Sequence, residues 1–184
     1  MKKLVLAVLM LLTACGFAAV PANAAGKTLV VYFSWGGTTR AVAETVAGAL
    51  GAELFEIKTA VPYTTNYDEV LDVAKAEQNR SARPELATHV QGMEQYDTVF
   101  LGYPCWWGTL PMPVFTFLEK YDFSGKRVIP FVTHGGSGFG RSLGDLRKTI
   151  PNANIEGKGL ALRGTGSRSQ VAKWLEGLGF TVKK

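Results

Sequence analysis

Short apolar runs alternate with amphipathic stretches along most of the chain. Four runs are rich in β-branched and aromatic residues and predict strands, and a fifth run is weaker; they cover residues 28–34, 52–58, 97–104, 127–134 and 159–163. Val99-Phe100-Leu101 and Val128-Ile129-Pro130-Phe131-Val132 are apolar at every position. Uninterrupted runs of this kind are typical of strands that are buried on both faces of a parallel sheet.

The stretches between these runs carry apolar residues at helical spacing. Val42, Val46 and Leu50 recur at every fourth position and predict a helix over residues 40–50. Similar patterns predict further helices over residues 68–79, 114–121 and 171–178. Alternating strands and helices with crossovers of this length predict an α/β fold with a doubly wound parallel sheet. The ligand site of such a sheet lies at the carboxyl ends of its strands.

The beginning of the chain has the pattern of an export signal. Two lysines precede an apolar stretch, and Ala22-Asn23-Ala24 matches the small-residue pattern at which signal peptides are cleaved. We therefore predict a signal peptide over residues 1–24 and a single domain over residues 25–184. A second interpretation stays open, because Leu12-Thr13-Ala14-Cys15 is similar to the lipobox of bacterial lipoproteins, in which the cysteine is lipidated. Both interpretations predict an exported protein in the periplasm or cell envelope, and the second adds a lipid anchor.

Charge and composition argue against several kinds of function. The chain has 20 Lys and Arg and 15 Asp and Glu, and its formal net charge of +5 falls to +3 once Lys2 and Lys3 are removed. No basic run is longer than a pair, so we expect no nucleic-acid binding. His89 and His134 lie far apart and no metal-ligand spacing occurs, so we expect no metal site. Cys105 is expected to be the only thiol of the mature domain.

The first strand is joined to the first helix by Ser34-Trp35-Gly36-Gly37-Thr38-Thr39, which is a candidate phosphate site. Its amides and hydroxyls collect at a helix N-terminus, where unpaired N–H groups and the helix dipole favour an anion. A threonine before a helix also serves as an N-cap, and the loop taken alone fits both interpretations equally well. Neither the Walker A pattern nor G-x-G-x-x-G occurs, which argues against P-loop ATPases and dinucleotide-binding Rossmann domains.

Two further strand ends carry residues that suit a planar ligand. The third run leads into Pro104-Cys105-Trp106-Trp107-Gly108. Because neighbouring residues on extended backbone point in opposite directions, we expect at most one tryptophan to face the interior, which leaves the other to stack on a ligand. The fourth run leads into Thr133-His134-Gly135-Gly136, and its glycines let backbone N–H groups approach a ligand closely. A phosphate site, an aromatic wall and a glycine-rich surface together suit flavin mononucleotide (FMN).

Three long strings make the chain resemble the flavodoxin-like protein family, and more closely the exported bacterial flavodoxin-like domain proteins. The chain has YFSWGGTT, YPCWWGTLPMPVFTFLE and VIPFVTHGGSG where those proteins have YFSxSGNT, YPxWWGxxPxPVxTFLE and VIPFVTxGGSG. The resemblance extends from Thr28 to about Gly179. It implies a five-stranded parallel sheet in the order 2-1-3-4-5 with FMN at its edge.

The resemblance also implies which residues bind the cofactor. The phosphate would be held by Ser34, Gly36, Gly37, Thr38 and Thr39. One wall of the isoalloxazine pocket would come from Pro104, Cys105, Trp106, Trp107 and Gly108, and the other from Thr133, His134, Gly135 and Gly136. Gly36 and Thr38 stand where the family usually has Ser and Asn, and Cys105 where it often has an aliphatic residue.

Three side chains near this site have their own expectations. Cys105 is expected to pack as a small hydrophobic residue, as buried cysteines generally do. His134 is expected to contribute backbone contacts, and a side-chain contact with the flavin is the alternative. Tyr63 and Tyr67 belong to the long connection over residues 59–95 and are expected to form a rim over the flavin.

We therefore predict an FMN-binding redox protein that acts in electron transfer, with the flavin supplying the redox chemistry. Soluble flavodoxins are typically strongly acidic and this chain is not, so we expect a different partner, either a redox protein or a membrane quinol. A flavin-dependent reductase of quinones or nitro compounds is the alternative, because the fold hosts both roles. A third possibility is a flavin-free hydrolase built on Cys105 or Ser137 with His134 and Asp145, although GGSGF does not match the G-x-S-x-G pattern.

Overall fold

The computed structural model describes residues 26–183, so the predicted signal peptide and Cys15 lie outside the described residues. The strands are β1 (Lys27–Tyr32), β2 (Glu53–Glu56), β3 (Tyr96–Pro104), β4 (Arg127–Thr133), β5 (Asn154–Ile155) and β6 (Leu160–Leu162). The helices are α1 (Thr38–Leu50), α2 (Tyr67–Asn79), α3 (Met112–Lys120), α4 (Ser142–Thr149) and α5 (Arg168–Gly177). A short 3-10 helix precedes β3 at Met93–Gln95.

All paired strands run parallel in one sheet. The order across the sheet is β2-β1-β3-β4-β5, and β6 also pairs with β4. Two helices, α1 and α5, cover one face, and residues of α3 and α4 pack on the other. The prediction of a doubly wound parallel sheet in the order 2-1-3-4-5 is confirmed.

The fifth position of the sheet is divided between two short strands. Asn154 and Ile155 of β5 lie beside the start of β4, whereas Leu160–Leu162 of β6 lie beside its end. Pro130 lies between the two paired regions of β4 and has no N–H to donate to a neighbouring strand. A Cβ on Gly159 would lie 2.8 Å from the carbonyl oxygen of Pro130, so only a glycine fits this close approach. The chain therefore leaves the sheet after β5 and rejoins it at β6.

The central strands are buried on both faces, as their apolar runs predict. In β1, Leu29 and Val31 belong to the cluster on one face, and Val30 belongs to the cluster on the other. In β3, Val99 and Leu101 join the first cluster and Phe100 joins the second. Burial of alternate side chains in opposite layers fixes the strand register, because a shift of one residue would exchange the two layers.

The helices differ from the predictions in their bounds and in number. Helix α3 begins at Met112 and not at residue 114, and α5 begins at Arg168 and not at residue 171. The first helix begins at Thr38 and not at Arg40, so both threonines of the first loop are helical. Helix α4 was not predicted at all, because its sequence is polar and only Ser142 and Leu146 are buried. Among residues 26–183, no helix combines the length and the apolar character that a membrane span requires.

Candidate functional site

Three loops meet at the carboxyl edge of the sheet. They follow β1, β3 and β4, which lie side by side in the sheet. Backbone hydrogen bonds join their starting points: Phe33 N donates to Gly102 O at 3.0 Å, and Cys105 N donates to Thr133 O at 2.8 Å. Pro104 and Thr133 are direct neighbours at the ends of β3 and β4. The sequence-predicted residues of all three loops therefore share one edge.

The N-terminus of α1 has no side-chain cap. Gly37 is the N-cap residue, with a left-handed φ of 84°, and no side chain accepts a hydrogen bond from the first turn. The first backbone bond of the helix runs from Ala41 N to Gly37 O at 3.0 Å. The interpretation of Thr38 or Thr39 as an N-cap is therefore wrong. The amides of the first turn remain available to an anion, and the first turn contains no acidic residue that would repel one.

Two threonine hydroxyls connect the loop after β1 with the end of β4. The Oγ1 atoms of Thr39 and Thr133 lie 2.8 Å apart, and both residues are buried. A hydroxyl has one hydrogen to donate, so the threonine that accepts in this pair keeps its own hydrogen for another acceptor. The pair both joins the two loops and supplies a further donor at the edge of the sheet.

Two buried polar atoms at this edge have no partner among the described residues. They are Ser34 Oγ, at the start of the first loop, and His134 Nδ1, at the start of the third. A buried polar atom without a hydrogen bond is unfavourable by about 1–3 kcal/mol, and such atoms in a folded protein call for an explanation. A polar ligand between the first and third loops would supply the missing partners.

The two adjacent tryptophans occupy different environments. Trp106 is partly buried and packs edge-on against Phe33 and Tyr63, with ring centroids 5.4 Å away in both cases. Trp107 is 45% exposed, and its Nε1 donates to Leu71 O at 3.0 Å. The Lys75 ammonium lies 5.0 Å from the centroid of the Trp107 ring. The structure thus confirms that only one tryptophan faces the interior.

A tight turn, Trp106–Thr109, separates these two environments, and we call it the tryptophan turn. Trp106 and Thr109 exchange two backbone hydrogen bonds of 3.0 Å each. Between them, Trp107 has a φ of 48° and Gly108 a φ of 78°, the pair of left-handed conformations that a type I′ turn requires. Glycine adopts this conformation readily, but it is strained for tryptophan. Neighbouring contacts must therefore hold Trp107 in place.

The loop after β4 is open at its glycines. Gly135 and Gly136 are exposed, and His134 N donates to Leu162 O at 3.0 Å. Farther along the loop, a Cβ on Gly140 would lie only 2.4 Å from the carbonyl oxygen of Gly108. The exposed glycines leave their backbone accessible, and Gly140 lets the loop pack directly against the tryptophan turn.

A rim from the connection between β2 and α2 covers the first two loops. Trp35 Nε1 donates to Thr64 O at 2.7 Å, and the Trp35 ring lies 6.1 Å from that of Tyr67. The hydroxyl of Tyr63 donates to the buried carboxylate of Glu77 at 2.6 Å. Burial and, secondarily, this carboxylate raise the pKa of Tyr63, so its phenol stays neutral and remains a donor. The expected rim residues Tyr63 and Tyr67 do lie beside the loops.

Sequence reasoning missed Trp35 as a residue that connects the first loop with this rim. The available signal was an indole inside a glycine-rich loop, where a large aromatic side chain needs a packing partner. Arg141 and Asp145 were missed as neighbours of the tryptophan turn because α4 was not predicted.

The groups that the hydrolase hypothesis requires do not form a catalytic arrangement. Asp145 Oδ2 accepts from Thr109 Oγ1 at 2.6 Å and from Arg141 Nε at 3.1 Å. His134 Nδ1 has no hydrogen-bond partner among residues 26–183, and Ser137 Oγ donates to the carbonyl oxygen of Gly138 at 3.4 Å. No Asp–His or His–Ser hydrogen bond links these side chains in the part of the chain that the structure describes, which argues against this chemistry.

Cys105 is half-buried and packs against the core beside Trp106, as expected for a small hydrophobic residue. Among the same described residues, no group of three or more His, Cys, Asp or Glu side chains is arranged to hold a metal ion.

Comparison with known proteins identifies the family. The family model described as flavodoxin matches residues 27–178. A provisionally assigned flavoprotein from Bacteroides uniformis is 38% identical, with a TM-score of 0.75, and the match covers 82% of this chain and 98% of that one. A similar protein from Bacteroides eggerthii is 35% identical, with a TM-score of 0.75 and coverage of 84% and 98%.

A third similar structure is that of a flavoprotein in complex with FMN from Lactobacillus acidophilus. It is 27% identical, with a TM-score of 0.65, and the match covers 82% of this chain and 99% of that one. The comparison with curated proteins found no match. The family model, the two Bacteroides structures and the observed strand order agree, and the chain belongs to the flavodoxin family.

Proposed function

We propose that the protein binds FMN at the edge formed by the loops after β1, β3 and β4, and that it acts in electron transfer. The observation that carries the proposal is the pair of unpartnered buried atoms, Ser34 Oγ and His134 Nδ1, beside the uncapped N-terminus of α1. These groups match the needs of a ligand that has a phosphate at one end and a polar ring at the other. Similarity to the FMN-bound flavoprotein from Lactobacillus acidophilus supports this choice of ligand.

Each loop has a separate part in this proposal. The amides at the start of α1, with the hydroxyls of Ser34, Thr38 and Thr39, hold the phosphate without a basic side chain. Trp106 and Trp107 with their neighbours form one wall of the ring pocket, and the loop from Thr133 to Gly136 forms the other. When bound, FMN supplies the redox chemistry, and the protein orients it, excludes water and sets the polarity around it.

The side chain of His134 enters the proposal as a hydrogen-bonding group. The sequence alone favoured backbone contacts for this residue. Its buried Nδ1 has no partner among the described residues, which is unfavourable unless a ligand supplies one. We therefore include the imidazole among the groups that contact the bound cofactor.

The partner and the location follow from the sequence and belong to the proposal. Soluble flavodoxins are acidic and dock on basic reductases. This chain has a formal net charge of +3 without Lys2 and Lys3, so it lacks the net negative charge that this kind of docking uses. We propose an exported protein in the periplasm or cell envelope, tethered to a membrane if Cys15 is lipidated. Its electron donor or acceptor is then a redox protein or a membrane quinol.

One observation favours a second function, the reduction of quinones or nitro compounds. A cleft of about 640 Å³ lies beside the rim and is lined by residues that include Val61, Pro62, Tyr63 and Val73. Its volume falls within the range of small-molecule sites, which is roughly 300–1,000 Å³. Tyr63 also contacts Trp106, so the cleft adjoins the proposed flavin pocket.

The first experiment is purification of the apoprotein and titration with FMN, followed by flavin fluorescence and the visible spectrum. We expect uptake of one FMN per chain, and no uptake would overturn both redox functions.

Rapid-mixing experiments with a soluble quinol and with NADPH then distinguish the electron carrier from the reductase. Fast reduction by the quinol and slow reduction by NADPH supports the carrier, whereas steady turnover of NADPH with a quinone supports the reductase.

A further inference from the structure

In the tryptophan turn (Trp106–Thr109), Trp107 has a backbone conformation that is unfavourable for a residue with a side chain. The left-handed φ of 48° at Trp107 disfavours any residue with a Cβ atom. Conformations of this kind persist only where the surrounding contacts impose them, and they concentrate at functional sites. The contacts that hold this turn therefore bear on the pocket wall that the turn forms.

Two helices contact the turn. Helix α2 contacts Trp107 itself, because Trp107 Nε1 donates to Leu71 O and Gln78 Nε2 donates to Trp107 O at 3.3 Å.

The N-cap and first turn of α4 hold the backbone of the turn and its last residue, Thr109. Thr109 Oγ1 donates to Asp145 Oδ2 at 2.6 Å, and Arg141 Nε donates to the same oxygen at 3.1 Å. Arg141 also holds the middle of the turn, because its backbone N donates to Gly108 O at 2.8 Å and its Nη1 lies 3.5 Å from Trp107 O. Asp145 thus joins the end of the turn to the residue that holds its centre.

The same part of α4 also holds the loop after β4. Ser142 is fully buried, and its Oγ donates to Phe139 O at 2.6 Å and lies 3.0 Å from the hydroxyl of Tyr103. Gly140 packs directly on Gly108, with no room for a Cβ between them. The two walls of the proposed ring pocket therefore meet at the beginning of α4.

We propose that Asp145 is a positioning residue of the cofactor site. Its carboxylate, through Thr109 and Arg141, holds the tryptophan turn in the left-handed conformation that forms one wall of the ring pocket. Two donors converge on a single oxygen, one of them charged, and charge-assisted hydrogen bonds of this kind are about twice as strong as neutral ones. Asp145 acts on the cofactor through the turn. The identity of the cofactor rests on the proposed FMN function, whereas the hold on the turn does not.

The test compares variants at both ends of the Thr109–Asp145 hydrogen bond. Asp145→Ala and Thr109→Val remove the bond. Asp145→Asn keeps an oxygen that can accept the bond, and Thr109→Ser keeps the hydroxyl that donates it. Arg147→Ala is the matched control on α4, because Arg147 donates to Leu143 O at 3.4 Å within the helix and makes no hydrogen bond to the tryptophan turn among the described residues. The readouts are the dissociation constant for FMN, the visible circular dichroism of the bound flavin, and the indole N–H resonance of Trp107 in the apoprotein, assigned with Trp107→Phe.

We expect Asp145→Ala and Thr109→Val to weaken FMN binding about tenfold, as loss of a charge-assisted hydrogen bond that orders the site would do. Both should also change the flavin dichroism at saturation and shift the Trp107 indole resonance. Asp145→Asn and Thr109→Ser should stay within about threefold of the parent. Wild-type affinity and an unchanged indole resonance in Asp145→Ala would overturn the proposal, as would an equal loss in Arg147→Ala.

Two further outcomes are also decisive. If the parent protein takes up no FMN, the proposed function fails. The positioning role is then judged on the indole resonance of the apoprotein, where a shift in both Asp145→Ala and Thr109→Val supports it and no shift overturns it. If Asp145→Ala does not fold, Thr109→Val carries the test against Thr109→Ser, because valine keeps the shape of threonine in the buried position of Thr109.

Discussion

The hydroxyl oxygens of Thr39 and Thr133 lie 2.8 Å apart inside the protein, one on the first turn of α1 and the other at the end of β4. These residues are 94 positions apart in sequence. The contact fixes the helix N-terminus relative to the loop after β4, so the ends of the proposed FMN site are held together before any ligand binds. Preorganisation of this kind lowers the free-energy cost of ordering a site on binding.

Thr39→Val should reduce the free energy of unfolding by about 1–2 kcal/mol, because it leaves the buried Thr133 hydroxyl without a partner. Thr45→Val is the control on the same helix, since the Thr45 hydroxyl donates to Ala41 O one turn earlier in the helix, at 2.9 Å. The measurement is urea unfolding of the apoprotein. In the double variant Thr39→Val/Thr133→Val the loss should be less than the sum of the two single losses, and additive losses would show that the hydroxyls do not interact.

The two tryptophans of the turn should respond differently to truncation. Trp106→Ala removes a partly buried ring that packs on Phe33 and Tyr63, and we expect a loss of roughly 2–4 kcal/mol in unfolding free energy. Trp107→Ala removes a 45% exposed ring and should lose about 1 kcal/mol. Thermal and urea unfolding of both variants provides the check. Equal losses at the two positions would contradict the assignment of Trp106 to the interior.

Two glycines of the loop after β4 form a matched pair. Gly138 has a φ of 58° and open space where a Cβ would lie, whereas Gly140 has a φ of 53° and its Cβ would lie 2.4 Å from Gly108 O. Gly138→Ala should therefore lose only the conformational penalty of about 1–2 kcal/mol. Gly140→Ala carries the same penalty and a backbone clash, so its loss should be clearly larger in urea unfolding. A Gly140→Ala variant as stable as Gly138→Ala would mean that the two loops separate easily.

The buried phenols predict a loss of stability at alkaline pH. Burial is the main cause that raises the pKa of four tyrosines, which are Tyr32, Tyr63, Tyr96 and Tyr103. Burial and, secondarily, the carboxylate of Glu53 raise the pKa of Tyr96 to about 12. An unfolded chain ionises its phenols near pH 10, so above that pH it has released protons that the folded chain still holds. The neutral phenols therefore make their full contribution to the free energy of unfolding below about pH 10. This contribution decreases as the pH rises toward 12 and beyond.

Urea unfolding at several values from pH 8 to pH 11.5 measures this decrease. Tyr96→Phe lacks one of the four phenols, so its stability should fall less steeply with pH than that of the parent. Phenolate absorbance followed in parallel should show the buried phenols ionising together with unfolding. A stability that stays constant up to pH 11.5 would contradict the prediction.

The sheet was predictable from the sequence, because a strand buried on both faces is apolar at successive positions. The apolar runs that contain Phe100 and Ile129 therefore predict β3 and β4 directly. Helix α4 was not predictable in this way, since its two buried residues, Ser142 and Leu146, give no apolar repeat. The division of the fifth strand depends on the missing N–H of Pro130, which lies in another strand. A local pattern cannot carry information about such a neighbour.

The candidate site was predictable to a similar degree. The candidate phosphate loop (residues 34–39) and the glycine-rich loop after β4 (residues 133–136) are continuous strings, and the order of the strands brings them together. The cap was mistaken because Gly37, and not a threonine, adopts the turn that starts α1. The contacts of Trp35, Arg141 and Asp145 join distant segments, so they became visible only in three dimensions.

The divided fifth strand also bears on how the folded chains behave toward one another. A long, straight edge strand presents a row of unpaired N–H and C=O groups on which the strand of a second molecule can add. Here that edge consists of the two residues of β5 and the three residues of β6, with a segment between them that is not part of the sheet. The opposite edge, β2, is four residues long and has a glutamate at each end. Both margins of the sheet are therefore poor templates for intermolecular pairing, which protects the folded protein against aggregation through its sheet edges.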